Sequence, residues 1–208
     1  MNISFLSQKL YDYTIIALFL LCIFLAGTYF PNDETKTKIR QNTINEIKKI
    51  GIFEPKVDTS SNDKFIDSMK KCIAFINLDL HEREQIPPTL IIAQSIVESN
   101  HGTSRFAIEG NALFGVRVWS KNGILPLKQH EGVNWRIKTY YTKCQSVKDY
   151  VNILNTNHHY SDFRNLRART KDPVRLAETL DNFSTSQTYR IELIRMINKI
   201  KHKIWLRF

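Results

Sequence analysis

The chain has 208 residues, 42% of them hydrophobic and 24% charged, so its composition excludes an intrinsically disordered protein and leaves room for one ordinary domain with an appendage. A net charge of +10 suits an anionic partner, such as membrane headgroups or an acidic polymer, or simply a soluble basic surface; no nucleic-acid-binding motif accompanies it. The cysteines show neither CxxC nor metal-ligand spacing, which excludes the usual zinc and redox motifs, whereas Cys72 and Cys144 could form a disulfide.

Residues 13–32 carry no charge and include an apolar run from Ile15 to Leu25. At about 1.5 Å per residue this stretch covers roughly 30 Å, the thickness of a bilayer core. We therefore predict an N-terminal tail at 1–12 and a transmembrane anchor at 13–32, with a cleaved signal peptide as the alternative. Basic residues are more numerous after this segment than before it, and this local count places the rest of the chain on the cytoplasmic side.

Residues 33–61 are polar and mixed in charge, with a helical patch from Ile39 to Ile50, and they are predicted to be a tether. The domain is expected at 62–208. Its first helix is capped by Ser61 or Asn62 and continues through apolar residues at three- and four-residue spacing.

The stretch from Pro87 to Gly102 predicts a short buried helix that ends in Glu98. Gln94 and Ser95 precede Glu98 by four and three residues, so the only polar strip of this helix leads to that carboxylate. The negative end of the helix dipole and partial burial would both raise the pKa of Glu98, as a general acid requires. The alternative is an idle carboxylate that faces solvent or pairs with Arg105.

After this helix, residues 103–111 read as a loop in which Thr103 or Ser104 could cap a turn. Two extended runs, 113–119 and 135–141, with a turn near Asn122 predict a β-hairpin that would form the second wall of a cleft. The remainder is predicted to be helical, at 146–154, 163–168, 173–180 and 189–204.

Several separated blocks resemble, in their order, the bacterial peptidoglycan-cleaving glucosaminidases of glycoside hydrolase family 73, and in particular their Bax-like branch. The resemblance covers roughly residues 62–200. It implies an α+β, mainly α fold: a lysozyme-like helical domain with a small β-hairpin beside the cleft, here preceded by a transmembrane helix. The blocks are 93–107, 110–115, 146–151, 154–160 and 163–167.

By this resemblance, Glu98 matches the catalytic general acid and Tyr160 matches a tyrosine that borders the subsite of the scissile bond. The second catalytic carboxylate falls near Glu131 in the hairpin region, with Glu109 and Asp149 as competitors.

Further substrate contacts are expected from Gln94, Asn111, Phe114 and His101. Two positions depart from the family pattern, because His101 stands where tryptophan is usual and Ala112 stands where asparagine precedes Leu-Phe-Gly. These departures leave open weakened activity or an altered subsite preference.

The resemblance implies hydrolysis of a β-1,4 glycosidic bond between N-acetylated sugars of peptidoglycan, as in an endo-β-N-acetylglucosaminidase, with no cofactor and no metal. The partners would be glycan strands and, through residues 13–32, the cytoplasmic membrane, but no nucleic acid. Because peptidoglycan lies outside that membrane, the domain is expected on the outer, periplasmic side, against the local charge count. The alternatives are lytic-transglycosylase-like cleavage and a catalytically weak wall-binding module.

Overall fold

The computed structural model describes residues 13–25, 33–49, 53–127, 134–180 and 187–205. The chain divides into two units, Met1–Ile52 and Phe53–Phe208.

The first unit contains helix α1, residues 13–25, and helix α2, Asp33–Lys49. The large apolar side chains of α1 are exposed. Within the described ranges, no helix combines the length and apolar character that crossing a bilayer requires. The tail 1–12 and residues 26–32 of the predicted anchor lie outside the described residues.

The second unit is mainly helical, with two short strands between its helices. Short 3-10 turns occur at Glu82–Glu84 and His158–Tyr160. In chain order, its described elements are α3 Asn62–Leu78, α4 Pro88–Ser99, α5 Arg105–Gly110, β1 Arg117–Val118, β2 Arg136–Ile137, α6 Lys143–Thr156, α7 Ser161–Arg167, α8 Pro173–Ala177 and α9 Gln187–Trp205.

Side-chain caps explain where several of these helices begin. The Ser61 hydroxyl accepts a hydrogen bond from the Lys64 amide at the start of α3, and Asp172 caps α8 directly before a proline at the first helical position. The cap predicted at Ser61 is confirmed. Ser104 caps α5. The prediction of a loop over 103–111 is therefore wrong, because six residues after that cap form a short helix.

Helix α4 lies at the centre of the hydrophobic core, packed against α3, α8 and α9. The side chains of Leu90, Ile91, Ile92 and Ala93 have no exposed surface. Each such leucine or isoleucine contributes about 1.5–3 kcal/mol through burial. The helix that carries Glu98 is thus firmly held in the core.

A disulfide joins Cys72 of α3 to Cys144 of α6, with a Cα–Cα distance of 5.7 Å. The pairing that the sequence left open is therefore formed.

The segment 53–61, expected to be the end of the tether, packs on the domain. Val57 is buried, the Asp58 amide donates to the Ser68 hydroxyl at 2.9 Å, and the Thr142 hydroxyl donates to the Glu54 carboxylate. The folded unit therefore begins at Phe53 rather than at residue 62.

Strands β1 and β2 pair antiparallel, with Arg117 opposite Ile137 and Val118 opposite Arg136. Ile124 forms an isolated bridge to Ile137. The predicted hairpin is present, but its strands are far shorter than the runs 113–119 and 135–141. The first run is shortened at its start because Leu113 lies in the helical core, where its amide donates to the Ser146 hydroxyl.

Candidate active site

The backbone turns sharply just after Glu98. Helix α4 ends at Ser99, and the next three residues, Asn100, His101 and Gly102, have φ angles of 49°, 57° and 75°. A Cβ at Gly102 would lie 2.8 Å from the Thr59 methyl group, so only glycine fits this turn without displacement. This turn directs the chain away from the end of α4, and Glu98 lies in the last turn of that helix.

The Glu98 carboxyl is partly buried, and this burial raises its pKa above the ordinary value. A hydrogen bond from the Tyr189 hydroxyl lowers the pKa by a smaller amount. Arg105 does not pair with Glu98: its guanidinium donates to Glu109 at 3.0 Å and to the Leu125 carbonyl at 2.6 Å. The rise in pKa predicted from the sequence is therefore found, and the arrangement favours the neutral acid.

A hydrogen-bonded chain of buried side chains leads to this carboxyl from the core. The Tyr150 hydroxyl donates to the Gln94 side-chain carbonyl, and the Gln94 amide donates to the Tyr189 hydroxyl at 3.2 Å. Gln94 has no exposed surface. Gln94 thus contacts two tyrosines, and its expected substrate contact stays a prediction.

Tyr160 is a third tyrosine that interacts with this group. Its electrostatic influence reaches Tyr150 and Tyr189, and Glu98 acts on the same two side chains. Burial raises the pKa of all three phenols. They consequently remain protonated and available as donors at neutral pH.

Phe114 and Asn111 both make contacts within the domain, and their expected substrate contacts stay predictions. The Phe114 ring is 3% exposed and stacks on the Tyr150 ring at a centroid distance of 4.1 Å. The Asn111 amide donates to the carbonyls of Tyr140 and Tyr141 at 3.0 and 3.1 Å. Asn111 therefore ties the chain after β2 to the end of α5.

His101 lies against α3. Its ring meets Phe65 edge-on at 5.9 Å, and it borders a small cavity of about 40 Å³ together with Ile66 and Met196. Ala112, the other departure from the family pattern, is buried.

The second carboxylate is not located, because Glu131 lies outside the described residues. Its competitors are both engaged elsewhere. Glu109 is half exposed and forms the ion pair with Arg105. Asp149 accepts hydrogen bonds from Lys138 at 2.9 Å and from the Tyr140 hydroxyl at 2.7 Å. Neither Glu109 nor Asp149 is among the groups that shift the pKa of Glu98.

Sequence reasoning assigned neither Tyr189 nor Tyr150 to the site. Neither residue carries a local signal, since their shared partner Gln94 lies 95 and 56 residues away along the chain. Where side chains are described, no group of three or more His, Cys, Asp or Glu residues could hold a metal ion.

Comparison with known proteins gives one family and several solved structures. Residues 76–202 match the glucosaminidase family, described as mannosyl-glycoprotein endo-beta-N-acetylglucosaminidase. None of the curated proteins matches the chain.

Among solved structures, the chain is similar to the C-terminally truncated glycoside hydrolase domain of FlgJ from Salmonella typhimurium, with a TM-score of 0.52 and 20% identity over 68% of this chain and 99% of that one. It is also similar to the catalytic domain of the autolysin Auto from Listeria monocytogenes, with a TM-score of 0.52 and 18% identity over 76% of this chain and 92% of that one. These similarities show that the chain shares the fold of these two domains.

Proposed function

The chain belongs to the glucosaminidase family, and we propose on that basis that it hydrolyses the β-1,4 bond between N-acetylated sugars in peptidoglycan glycan strands. The observation that carries this proposal is the partly buried Glu98, whose pKa is raised at the end of the central helix within the region that matches the family. The solved glycoside hydrolase domains of similar fold come from FlgJ and an autolysin. Assignment to the Bax-like branch remains a prediction.

In the proposed mechanism, protonated Glu98 donates its proton to the glycosidic oxygen as the bond to the anomeric carbon breaks. A water molecule then supplies the hydroxyl group at that carbon. Glu131 is proposed to activate this water, with participation of the substrate N-acetyl group as the alternative. Tyr160, which is close enough to Tyr189 to raise its pKa, is proposed to border the cleaved bond.

We further propose that residues 13–32 anchor the protein in the cytoplasmic membrane and that the second unit lies outside it. The exposed apolar side chains of α1 support an anchor. The disulfide between Cys72 and Cys144 supports an oxidising compartment. Limited proteolysis of intact spheroplasts should digest residues 53–208, and their protection would contradict this orientation.

The proposed activity is tested by mass spectrometry of peptidoglycan digested with the full-length protein in mild detergent. Hydrolysis as proposed yields fragments with a reducing N-acetylglucosamine end. Anhydro-sugar products would instead indicate a lytic transglycosylase. Wall binding without any released fragment would indicate a binding module.

A further inference from the structure

Residues 53–61, which we call the strap, contact the chain on both sides of the small sheet, before β1 and after β2. A Cβ at Gly102 would lie 2.8 Å from the Thr59 methyl group, so this methyl packs directly against the turn that follows α4. Further along α6, the Thr142 hydroxyl donates to the Glu54 carboxylate. Thr142 caps α6, where the chain returns from β2. The strap therefore joins the turn behind the acid to the chain that leaves the sheet.

The strap is itself fixed to α3. Val57 is buried in the core, and the Asp58 amide donates to the Ser68 hydroxyl of α3 at 2.9 Å. The Asp58 carboxylate also accepts from the Ser60 amide at 2.8 Å, which shapes the strap just before α3 begins. A disulfide joins α3 to the start of α6. The contacts at the two ends of the strap thus share one firm base.

We propose that Glu54 and Thr59 are positioning residues: through the strap they hold the chain that returns from the small sheet against the turn behind Glu98. They thereby fix the sheet, the proposed second wall of the cleft, relative to the acid. This inference rests on the proposed cleavage of a glycan at Glu98. The family match begins at residue 76, so the strap lies before the matched region.

A second set of contacts connects the same place to the sheet. The Lys143 ammonium donates to the Asn111 side-chain oxygen at 3.2 Å, and the Asn111 amide donates to the carbonyls of Tyr140 and Tyr141. The Lys143 side chain also approaches Gly102, since a Cβ there would lie 3.5 Å from its Cε atom. The strap, the turn after α4 and the chain after β2 therefore form one continuous group of contacts.

The sheet depends on such contacts because it is very small. Strands β1 and β2 have two residues each, and a two-stranded hairpin is at best marginally stable by itself. Helix α4, in contrast, is held by the hydrophobic core. A loosened strap should consequently displace the sheet and leave the acid in place. A displacement of about 1 Å at a reacting site can slow catalysis by about 100-fold.

The test is amide hydrogen exchange, measured by mass spectrometry, in the full-length protein with Glu54→Ala and Thr59→Ser combined. The reporters are three amides that donate to backbone carbonyls in or beside the sheet: Ile137 to Ile124 at 2.9 Å, Lys138 to Val116 at 2.8 Å and Tyr140 to Gly110 at 2.9 Å. They should exchange about tenfold faster than in the wild type, because a lost hydrogen bond to a carboxylate favours local opening. Peptides from α9 should keep their wild-type exchange.

Glu178→Ala combined with Thr179→Ser is the matched control, because it makes the same two changes at the end of α8. It should leave the exchange of the sheet amides unchanged. Glu54→Gln alone keeps a carbonyl oxygen that can accept from the Thr142 hydroxyl, and it should exchange like the wild type. If the double variant does not fold, Thr59→Ser alone is compared with Thr179→Ser.

Kinetics give a second readout. In the double strap variant, kcat for the release of reducing ends should fall about tenfold under conditions where the protein is fully folded. The pH profile should keep its wild-type midpoint, because the strap acts on the sheet and not on the Glu98 carboxyl. Glu54→Gln should retain the wild-type kcat.

Equal acceleration of exchange in the α9 peptides would show that the strap contributes only to global stability, and it would overturn the positioning role. Faster exchange of the sheet amides with an undiminished kcat would overturn that role as well. No digestion by the wild-type protein would instead overturn the proposed function, and with it the catalytic role of the strap, whereas the exchange result would still decide whether the strap holds the sheet.

Discussion

Reduction of the disulfide between Cys72 and Cys144 should destabilise the domain strongly. The two cysteines are 72 residues apart, and both are buried. Opening a loop of this length returns conformational entropy to the unfolded chain, worth roughly 4 kcal/mol at 25 °C. With a denaturant slope of about 2 kcal/mol per M, the midpoint of urea unfolding should fall by roughly 2 M.

The assay is equilibrium urea unfolding, followed by tryptophan fluorescence with and without reductant. All samples carry Cys22→Ser, which removes the free, exposed thiol and prevents intermolecular crosslinks. A Cys72→Ala, Cys144→Ala double variant should behave like the reduced protein and should not respond to reductant. Coincident midpoints for the oxidised and reduced protein would refute the loop-entropy argument.

Two further predictions concern the turn after α4 and the buried acid. Gly102→Ala should lower the free energy of unfolding by about 2 kcal/mol or more, because the new Cβ meets the Thr59 methyl group at 2.8 Å. Gly115→Ala, also at positive φ but with no atom within 4 Å, should lose only about 1 kcal/mol, and equal losses in urea unfolding would contradict the packing argument. The pKa of Glu98 is raised in the folded state, so folding takes up protons and stability is lost as the pH rises from 4.5 through the folded-state value. Glu98→Gln removes this loss, so its Tm should exceed that of the wild type at about pH 8 but not at about pH 4, whereas a pH-independent difference would refute the linkage.

The helix that carries Glu98 could be predicted because its signals are local. Two prolines favour its start, a glycine follows its end, and the residues from Leu90 to Val97 are apolar apart from Gln94 and Ser95. The observed α4, Pro88–Ser99, confirms this prediction. The rise in the pKa of Glu98 follows from the same pattern, because a helix that is apolar on most sides must be buried.

The strands and α5 were harder to predict, because tertiary contacts decide them. Phe114 has strong strand propensity, yet both it and Leu113 fill the helical core. A helix as short as Arg105–Gly110 carries too few residues for a periodic pattern.

The tyrosine cluster could not be predicted from the sequence. Tyr150 lies among apolar residues of α6, and Tyr189 lies in the first turn of α9, so each reads as an ordinary amphipathic position. Only the packing of α4 against α9 brings Tyr189 to Gln94, across 95 residues of chain. The same packing turns an isolated carboxylate into a hydrogen-bonded acid.

The role of Glu98 is tested most directly by the digestion of purified peptidoglycan with wild-type protein and with the Glu98→Gln variant. Glu178→Gln is the matched control, since it alters an exposed carboxylate that is not among the candidate site residues. Loss of a general acid should slow the release of reducing ends by about 100-fold or more, while co-sedimentation with the wall stays unchanged. Release by Glu98→Gln at the rate of the Glu178→Gln control would contradict the assignment of Glu98 as the catalytic acid.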